Sequence, residues 1–242
     1  MDYLFGVHSV GEWLRADPSR LTRLLVAPRP NERVEKLVTR AREAGIEIAT
    51  IDPNRLRQLS HPRNPQGVGA EVAPFPFAEL EDILADPEST QLLVVVDGVT
   101  DPGNLGAILR SAAFFGAAAV ILPRDRSAAI SPVVERSAAG AAARLPIVQV
   151  NSLLKCVEGL VRDGFRAVAS IVGGHPAPWE LDLTGPLVLM VGSEDKGLRP
   201  SLRRAAAIKT SLETQGPESL NVSAFGALLL YETARQRALS SP

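Results

Sequence analysis

Three polar stretches hold the residue types able to do chemistry. They are Asp97-Gly98-Val99-Thr100-Asp101-Pro102-Gly103-Asn104-Leu105-Gly106, Gly192-Ser193-Glu194-Asp195-Lys196-Gly197 and Ser219-Leu220-Asn221-Val222-Ser223. The first two follow apolar runs, and the first and third open onto helical patterns. Polar side chains at such junctions can cap a helix, hold an anion at its N-terminus, or orient a ribose or an amide. Asn104 is placed to cap the helix it precedes. On that helix Arg110 lies four residues after Gly106 and three before Ala113, so the three share a face. Small neighbours leave room beside the guanidinium for a bulky anion such as a phosphodiester. A plain cap and a surface arginine fit the same spacing. Glu194 could equally serve as a carboxylate at the helix start near Pro200. Ser219 or Asn221 is expected to cap the last helix whatever else it does.

Two nucleotide-binding motifs fail on required residues. Gly98, Gly103 and Gly106 have the wrong spacing for a dinucleotide fingerprint. Gly192 and Gly197 have the outer spacing of a phosphate loop, but Leu198-Arg199 follow where Lys-Ser/Thr is needed. The single cysteine, Cys156, excludes an intrachain disulfide, and its apolar neighbours suggest a core thiol. His8, His61 and His175 are scattered, so no Cys/His metal spacing exists and no metal is expected. A net charge of −1 argues against gripping nucleic acid by bulk charge, while leaving a local basic patch open. Residues 1–75 carry +2 and the remainder −3, a mild asymmetry that a bland surface explains as well as an RNA contact. The start, Met1-Asp2-Tyr3-Leu4, lacks the pattern of a signal peptide, and no apolar run reaches the roughly 18 residues of a membrane span. A soluble cytoplasmic protein without membrane contact is expected.

The positioning elements follow from periodicity. Residues 4–16 read as a short helix, 24–27 as a strand, and 31–45 as a helix capped by Asn31 and closed by Gly45. A strand at 46–51, a helix from Asp52-Pro53 to 59 and a strand at 68–73 complete a small α/β unit. Residues 1–75 are thus one domain, and 76–90 a linker and lead-in helix. Residues 91–242 alternate strands at 92–96, 118–122, 147–150, 165–171, 187–191 and 207–211 with helices at 105–115, 132–143, 152–163, 200–206 and 222–239. That alternation predicts a mostly parallel sheet with helices on both faces. The residues alone lead to a ligand-binding α/β protein.

Taken together, the three stretches resemble a family. Asn104-Leu105-Gly106-Ala107-Ile108-Leu109-Arg110, Val191-Gly192-Ser193-Glu194-Asp195-Lys196-Gly197 and Ser219-Leu220-Asn221-Val222-Ser223 match, in order and spacing, the three motifs of the SpoU (TrmH) RNA ribose 2′-O-methyltransferases of the SPOUT class. Asp97 to Pro102, Pro123 to Ala128, Phe5 to Val10 and Gln66-Gly67 look like the RlmB branch, which modifies 23S rRNA. The resemblance implies a deep trefoil knot near the C-terminus that holds S-adenosylmethionine. It implies a ribosomal-protein-like RNA-binding front domain, and a homodimer through the final helix and knot region. It implies Asn104, Arg110, Glu194, Ser219 and Asn221 as catalytic residues, and Gly192, Gly197, Thr210, Leu212 and Leu220 as donor contacts. A guanidinium is too basic to act readily as a proton acceptor, so Arg110 is expected to hold the target phosphate and orient the hydroxyl. One departure stands out: Thr210-Ser211-Leu212 replaces an Ile-Pro-Met-like stretch, and the loop after it is longer by one residue.

The implied reaction is methyl transfer from S-adenosylmethionine to a ribose 2′-hydroxyl, a guanosine of 23S rRNA being the leading acceptor. Rival readings are a tRNA or antibiotic self-resistance methyltransferase and a non-catalytic RNA-binding protein. A nicotinamide-dependent oxidoreductase is disfavoured by the missing fingerprint.

Overall fold

The computed structural model describes residues 2–61, 64–86, 91–125, 127–212 and 220–240. They form two compact units. One comprises Met1–Pro76 with Ile130–Arg144, the other Phe77–Ala129 with Leu145–Pro242.

The first unit is built on a four-stranded sheet in the order β1-β4-β2-β3, with β1 (Asp2–Phe5), β2 (Leu21–Val26), β3 (Glu47–Thr50) and β4 (Val68–Val72). β4 runs antiparallel to both β1 and β2, and β2 runs parallel to β3. Side chains alternate between two cores. Leu4 and Leu24 join Val10, Trp13, Val34 and Leu37 from α1 (Val7–Ala16) and α2 (Glu32–Glu43), while Phe5 and Leu25 meet Leu56 of α3 (Pro53–Ser60). The predicted helix over 4–16 is therefore wrong at its start. Leu4 and Phe5 are buried on opposite faces, which needs a strand, and Gly6 at φ 95° breaks the chain before α1. Asn31 caps α2 through the Val34 N–H as predicted, and Asp52 caps α3.

Within Ile130–Arg144, α6 (Pro132–Ser137) is half the predicted length. Ala139 and Gly140 take positive φ, and a Cβ on Gly140 would lie 2.2 Å from Cγ of Glu12, so the backbone must pass there as glycine. Glu135, 2% exposed, accepts two hydrogen bonds from the Arg20 guanidinium at 2.6 and 2.7 Å and one from Trp13 Nε1 at 2.7 Å. Arg20 also stacks 4.0 Å from the Trp13 ring centroid. This segment thus donates a buried anion to the first unit.

The second unit contains a six-stranded sheet, all parallel, in the order β10-β8-β9-β5-β6-β7. The strands are β5 (Leu92–Asp97), β6 (Ala119–Pro123), β7 (Ile147–Val150), β8 (Arg166–Ser170), β9 (Leu187–Gly192) and β10 (Ile208–Thr210). Every residue of the central β5 and β9 is buried, as a strand covered on both faces requires. Leu93, Val95, Val188 and Met190 pack with α7 (Leu153–Arg162) and α8 (Pro200–Ala205), and α4 (Leu80–Leu84) joins that side. α5 (Pro102–Phe114) and α9 (Val222–Ser240) pack against each other, and a Cβ at Gly226 of α9 would sit 3.7 Å from Val191 and 4.0 Å from Ile108. No helix among the described residues is long and apolar enough to cross a membrane.

Candidate active site

The first two polar stretches begin side by side because β5 and β9 are adjacent and parallel, with Asp97 opposite Gly192. Ligands of open parallel sheets gather at such C-terminal strand ends. α5 starts earlier than its periodicity suggested. Asp101, not Asn104, is its N-cap: its side chain accepts the Asn104 N–H at 2.7 Å, and Pro102 occupies the first helical position. The predicted cap at Asn104 is thus corrected, and the correction leaves the Asn104 side chain available for other partners.

Those partners come from the other two stretches. Asn104 Nδ2 donates to Glu194 Oε1 at 2.7 Å. Asn221 Nδ2 donates to the same carboxylate oxygen and to Asn104 Oδ1, the latter at 3.1 Å. Ser223 Oγ donates to Asn221 Oδ1 at 2.6 Å and lies 3.4 Å from Asn104 Oδ1. Asn221 Oδ1 also accepts the Ser223 and Ala224 N–H groups, so Asn221 caps α9 as predicted. One carboxylate therefore dictates which way both amides face. Glu194 spends itself on Asn104 and Asn221 and gives α8 no cap; that helix has no side-chain cap at all.

Beside this cluster lies a cavity of about 450 Å³. Ser170, Ile171, Val172 and His175 form one wall, the loop Gly192 to Leu198 another, and Leu212, Leu220, Val222 and Phe225 close it. Glu194 belongs to both cluster and cavity. A Cβ on Gly192 would fall 2.1 Å from both Gly197 C and Leu198 N, so only glycine lets the loop fold back on its own strand. Arg203 of α8 holds that loop by donating to the Leu198 carbonyl at 2.6 Å and the Lys196 carbonyl at 3.2 Å. Among the described residues no group of three or more His, Cys, Asp or Glu could hold a metal.

A model of the SpoU rRNA methylase family matches residues 91–231. The chain belongs to this family. A second model, for RNA 2′-O ribose methyltransferase substrate binding, matches residues 3–78. The chain is 36% identical to the 23S rRNA (guanosine-2′-O-)-methyltransferase RlmB of Coxiella burnetii, covering 99% of this chain and 97% of that protein. It is 36% identical to RlmB of Pseudomonas putida over 98% and 97%. The crystal structure of the SpoU methyltransferase AviRb from Streptomyces viridochromogenes in complex with AdoMet has a TM-score of 0.84 at 27% identity, covering 98% of this chain and 91% of that one.

Against the SpoU motifs, the structure brings Asn104, Glu194 and Asn221 into one hydrogen-bonded cluster. Gly192, Gly197, Leu212 and Leu220 line the cavity, and Thr210 does not. The Thr210 hydroxyl is 0% exposed and donates instead to the Pro176 carbonyl at 2.9 Å. Arg110 is exposed and makes no hydrogen bond or ion pair with the described residues. Six residues past Asn104, it sits roughly 240° around α5, off the cluster's face. Ser219 lies outside the described residues. Sequence reasoning missed the wall from Ser170 to His175, together with Arg203 and Phe225. The position of 170–175 at a strand's C-terminal end beside β9 was the available signal.

Proposed function

We propose that the chain is an S-adenosylmethionine-dependent RNA methyltransferase acting on the ribose 2′-hydroxyl of a guanosine in 23S rRNA. The observation that carries this reading is Glu194, which lines the cavity and orders Asn104 and Asn221 at the same time. A donor pocket and a polar cluster that share a residue suit a reaction joining two substrates at one point. RlmB relatives that match both units over nearly their full length support the rRNA acceptor.

The cavity suits the donor. About 450 Å³ is within the usual range for a ligand of nucleoside size, and the apolar Leu212, Leu220, Val222 and Phe225 offer surface for a base. The Gly192 cradle gives a flat ligand close approach to backbone. When bound, the donor supplies a methyl group activated by its sulfonium. The chain's own residues do the rest. Gly192, Gly197, Leu212 and Leu220 hold the donor. Asn104 and Asn221 present fixed amides to the acceptor. Glu194 Oε2 has no hydrogen-bond partner among the described residues and is the acceptor left for a substrate hydroxyl. Arginine is a permanent cation, so Arg110 binds the target phosphate and aligns the nucleotide rather than removing a proton. Ser219, outside the described residues, is assigned to the same site by its motif position alone.

Residues 1–75 form a ribosomal-protein-like RNA-binding domain, 76–90 link it, and 91–242 form the catalytic domain with a trefoil knot around the second and third motifs. The enzyme works in the cytoplasm as a homodimer through α9, which carries the exposed Leu228 and Tyr231, the ring of the latter 6.2 Å from the Phe115 ring centroid. Mapping 2′-O-methyl positions in 23S rRNA and tRNA from a deletion strain, with and without this chain, tests the reading. A restored guanosine methyl in 23S rRNA is expected; unchanged maps in both RNAs would sink it.

A further inference from the structure

The stretch Thr210-Ser211-Leu212, at the end of β10, makes three of its contacts through side-chain hydroxyls. β8 and β10 are parallel neighbours with Ser170 opposite Thr210, and the Ile171 N–H donates to the Thr210 carbonyl at 2.9 Å. Beyond Ile171 the chain turns at Gly173 and Gly174, both with positive φ, and comes back. On its return it is caught four times. The His175 N–H donates to Ser211 Oγ at 3.1 Å, and Ser211 Oγ donates to the His175 carbonyl at 2.9 Å. The Ser211 N–H donates to the Pro176 carbonyl at 3.2 Å, and Thr210 Oγ1 donates to the same carbonyl at 2.9 Å. Thr210 and Ser211 are 0% and 1% exposed, so water cannot replace these bonds.

We infer that Thr210 and Ser211 are positioning residues for the methyl donor, latching the 171–176 excursion so that its residues stand as a preformed wall of the donor cavity. Ile171, Val172 and His175 line that cavity, while Thr210 and Ser211 do not. The latched residues therefore meet the donor and the latching residues act through them. His175 is held by both its backbone N–H and its carbonyl, which fixes where its imidazole is carried. A wall fixed before the donor arrives spares the ordering cost of binding. An apolar residue at 210 and a proline at 211 would remove all four bonds, since proline has neither hydroxyl nor N–H. The latch is thus peculiar to the hydroxyl residues this chain carries. The inference rests on the donor assignment given above.

Thr210→Val and Ser211→Ala, singly and together, test it by calorimetry with S-adenosylmethionine and by steady-state methyl transfer. The double variant is expected to bind the donor about tenfold more weakly, the size of the loss of a few net hydrogen bonds. KM for the donor should rise by the same factor while kcat at saturating donor holds. Thr210→Ser, which keeps the hydroxyl, should stay near wild type where Thr210→Val does not. Hydrogen exchange at residues 171–176 should quicken locally, with the amides of β5 and β9 unchanged as evidence of an intact fold. A folded double variant with wild-type donor affinity and unchanged exchange at 171–176 overturns the latch. Failure of the wild-type chain to bind S-adenosylmethionine overturns the donor assignment instead.

Discussion

Asp97 and Arg199 are joined across 102 residues of sequence by two bonds to one carboxylate. Asp97 Oδ2 accepts the Arg199 backbone N–H at 2.9 Å, and Oδ1 accepts Arg199 Nε at 2.7 Å. Asp97 is the last residue of β5 and is 3% exposed; Arg199 opens α8. Because Asp97 also stands opposite Gly192, one residue marks both ends of the loop that carries Glu194. Replacing it with asparagine removes the charge and one of the two acceptor positions. Asp97→Asn should cost about 1–2 kcal/mol of stability, discounted because Arg199 is half exposed, and should reduce methyl transfer more than the loss of folded protein accounts for. Urea denaturation alongside steady-state kinetics checks this.

Gly192→Ala places a methyl where backbone atoms stand 2.1 Å away, and backbone cannot yield as a flexible side chain can. Donor binding measured by calorimetry should disappear. RNA binding measured by anisotropy should survive. Wild-type donor affinity would show that the loop has another conformation.

Arg110→Lys keeps the charge and loses the two-pronged geometry that grips a phosphate. Methyl transfer should fall about a hundredfold if alignment of the nucleotide depends on that fork. Donor affinity should not move, since Arg110 is not among the residues lining the cavity. Near-normal transfer would remove the phosphate-holding role.

Glu135→Ala leaves the Arg20 guanidinium, 4% exposed, without its carboxylate. Removing one member of a buried pair costs about 3–5 kcal/mol. Guanidinium denaturation followed by Trp13 fluorescence should show this, since Trp13 touches both partners.

Burial, with a smaller push from the Glu81 carboxylate, raises the Cys156 thiol to about 11 from an ordinary 9.0. The fold prefers the neutral thiol, so this contribution is present below 9.0 and is lost as pH rises through about 11. Iodoacetamide should label Cys156 slowly at neutral pH, with the rate climbing above pH 9.0, and Cys156→Ala should flatten the alkaline loss of stability. Fast labelling of the folded protein at neutral pH would contradict this.

Much of the fold was legible because local chemistry and global packing agree. Asn31 and Asp52 cap the helices they precede, and the apolar runs at β5 and β9 are the buried centre of a parallel sheet. Misreadings arose where a tertiary contact overrode local pattern. Leu4 and Phe5 continue a helical spacing, yet each is wanted by a different core. Asn104 and Asp101 are both good caps, and only the presence of Glu194 shows why Asp101 takes the task. The alanines after Ser137 favour helix, but Gly140 must lie against Glu12. Thr210 looked like a donor contact from its motif position, and its hydroxyl is instead bound to the Pro176 carbonyl. Glu194, Glu12 and Pro176, the partners that decide the last three cases, are all distant in sequence from Asn104, Gly140 and Thr210.

The division of the chain bears on how such proteins can be recombined. Ile130–Arg144 belongs with Met1–Pro76, so the first unit is not a contiguous cassette. A chimera that exchanged only residues 1–76 would import an Arg20 whose counter-charge was selected in another background. Inheritance of this unit is therefore tied to that of a fifteen-residue stretch lying between β6 and β7, and variation at Arg20, Trp13 and Glu135 should travel together even where the rest of the front unit diverges.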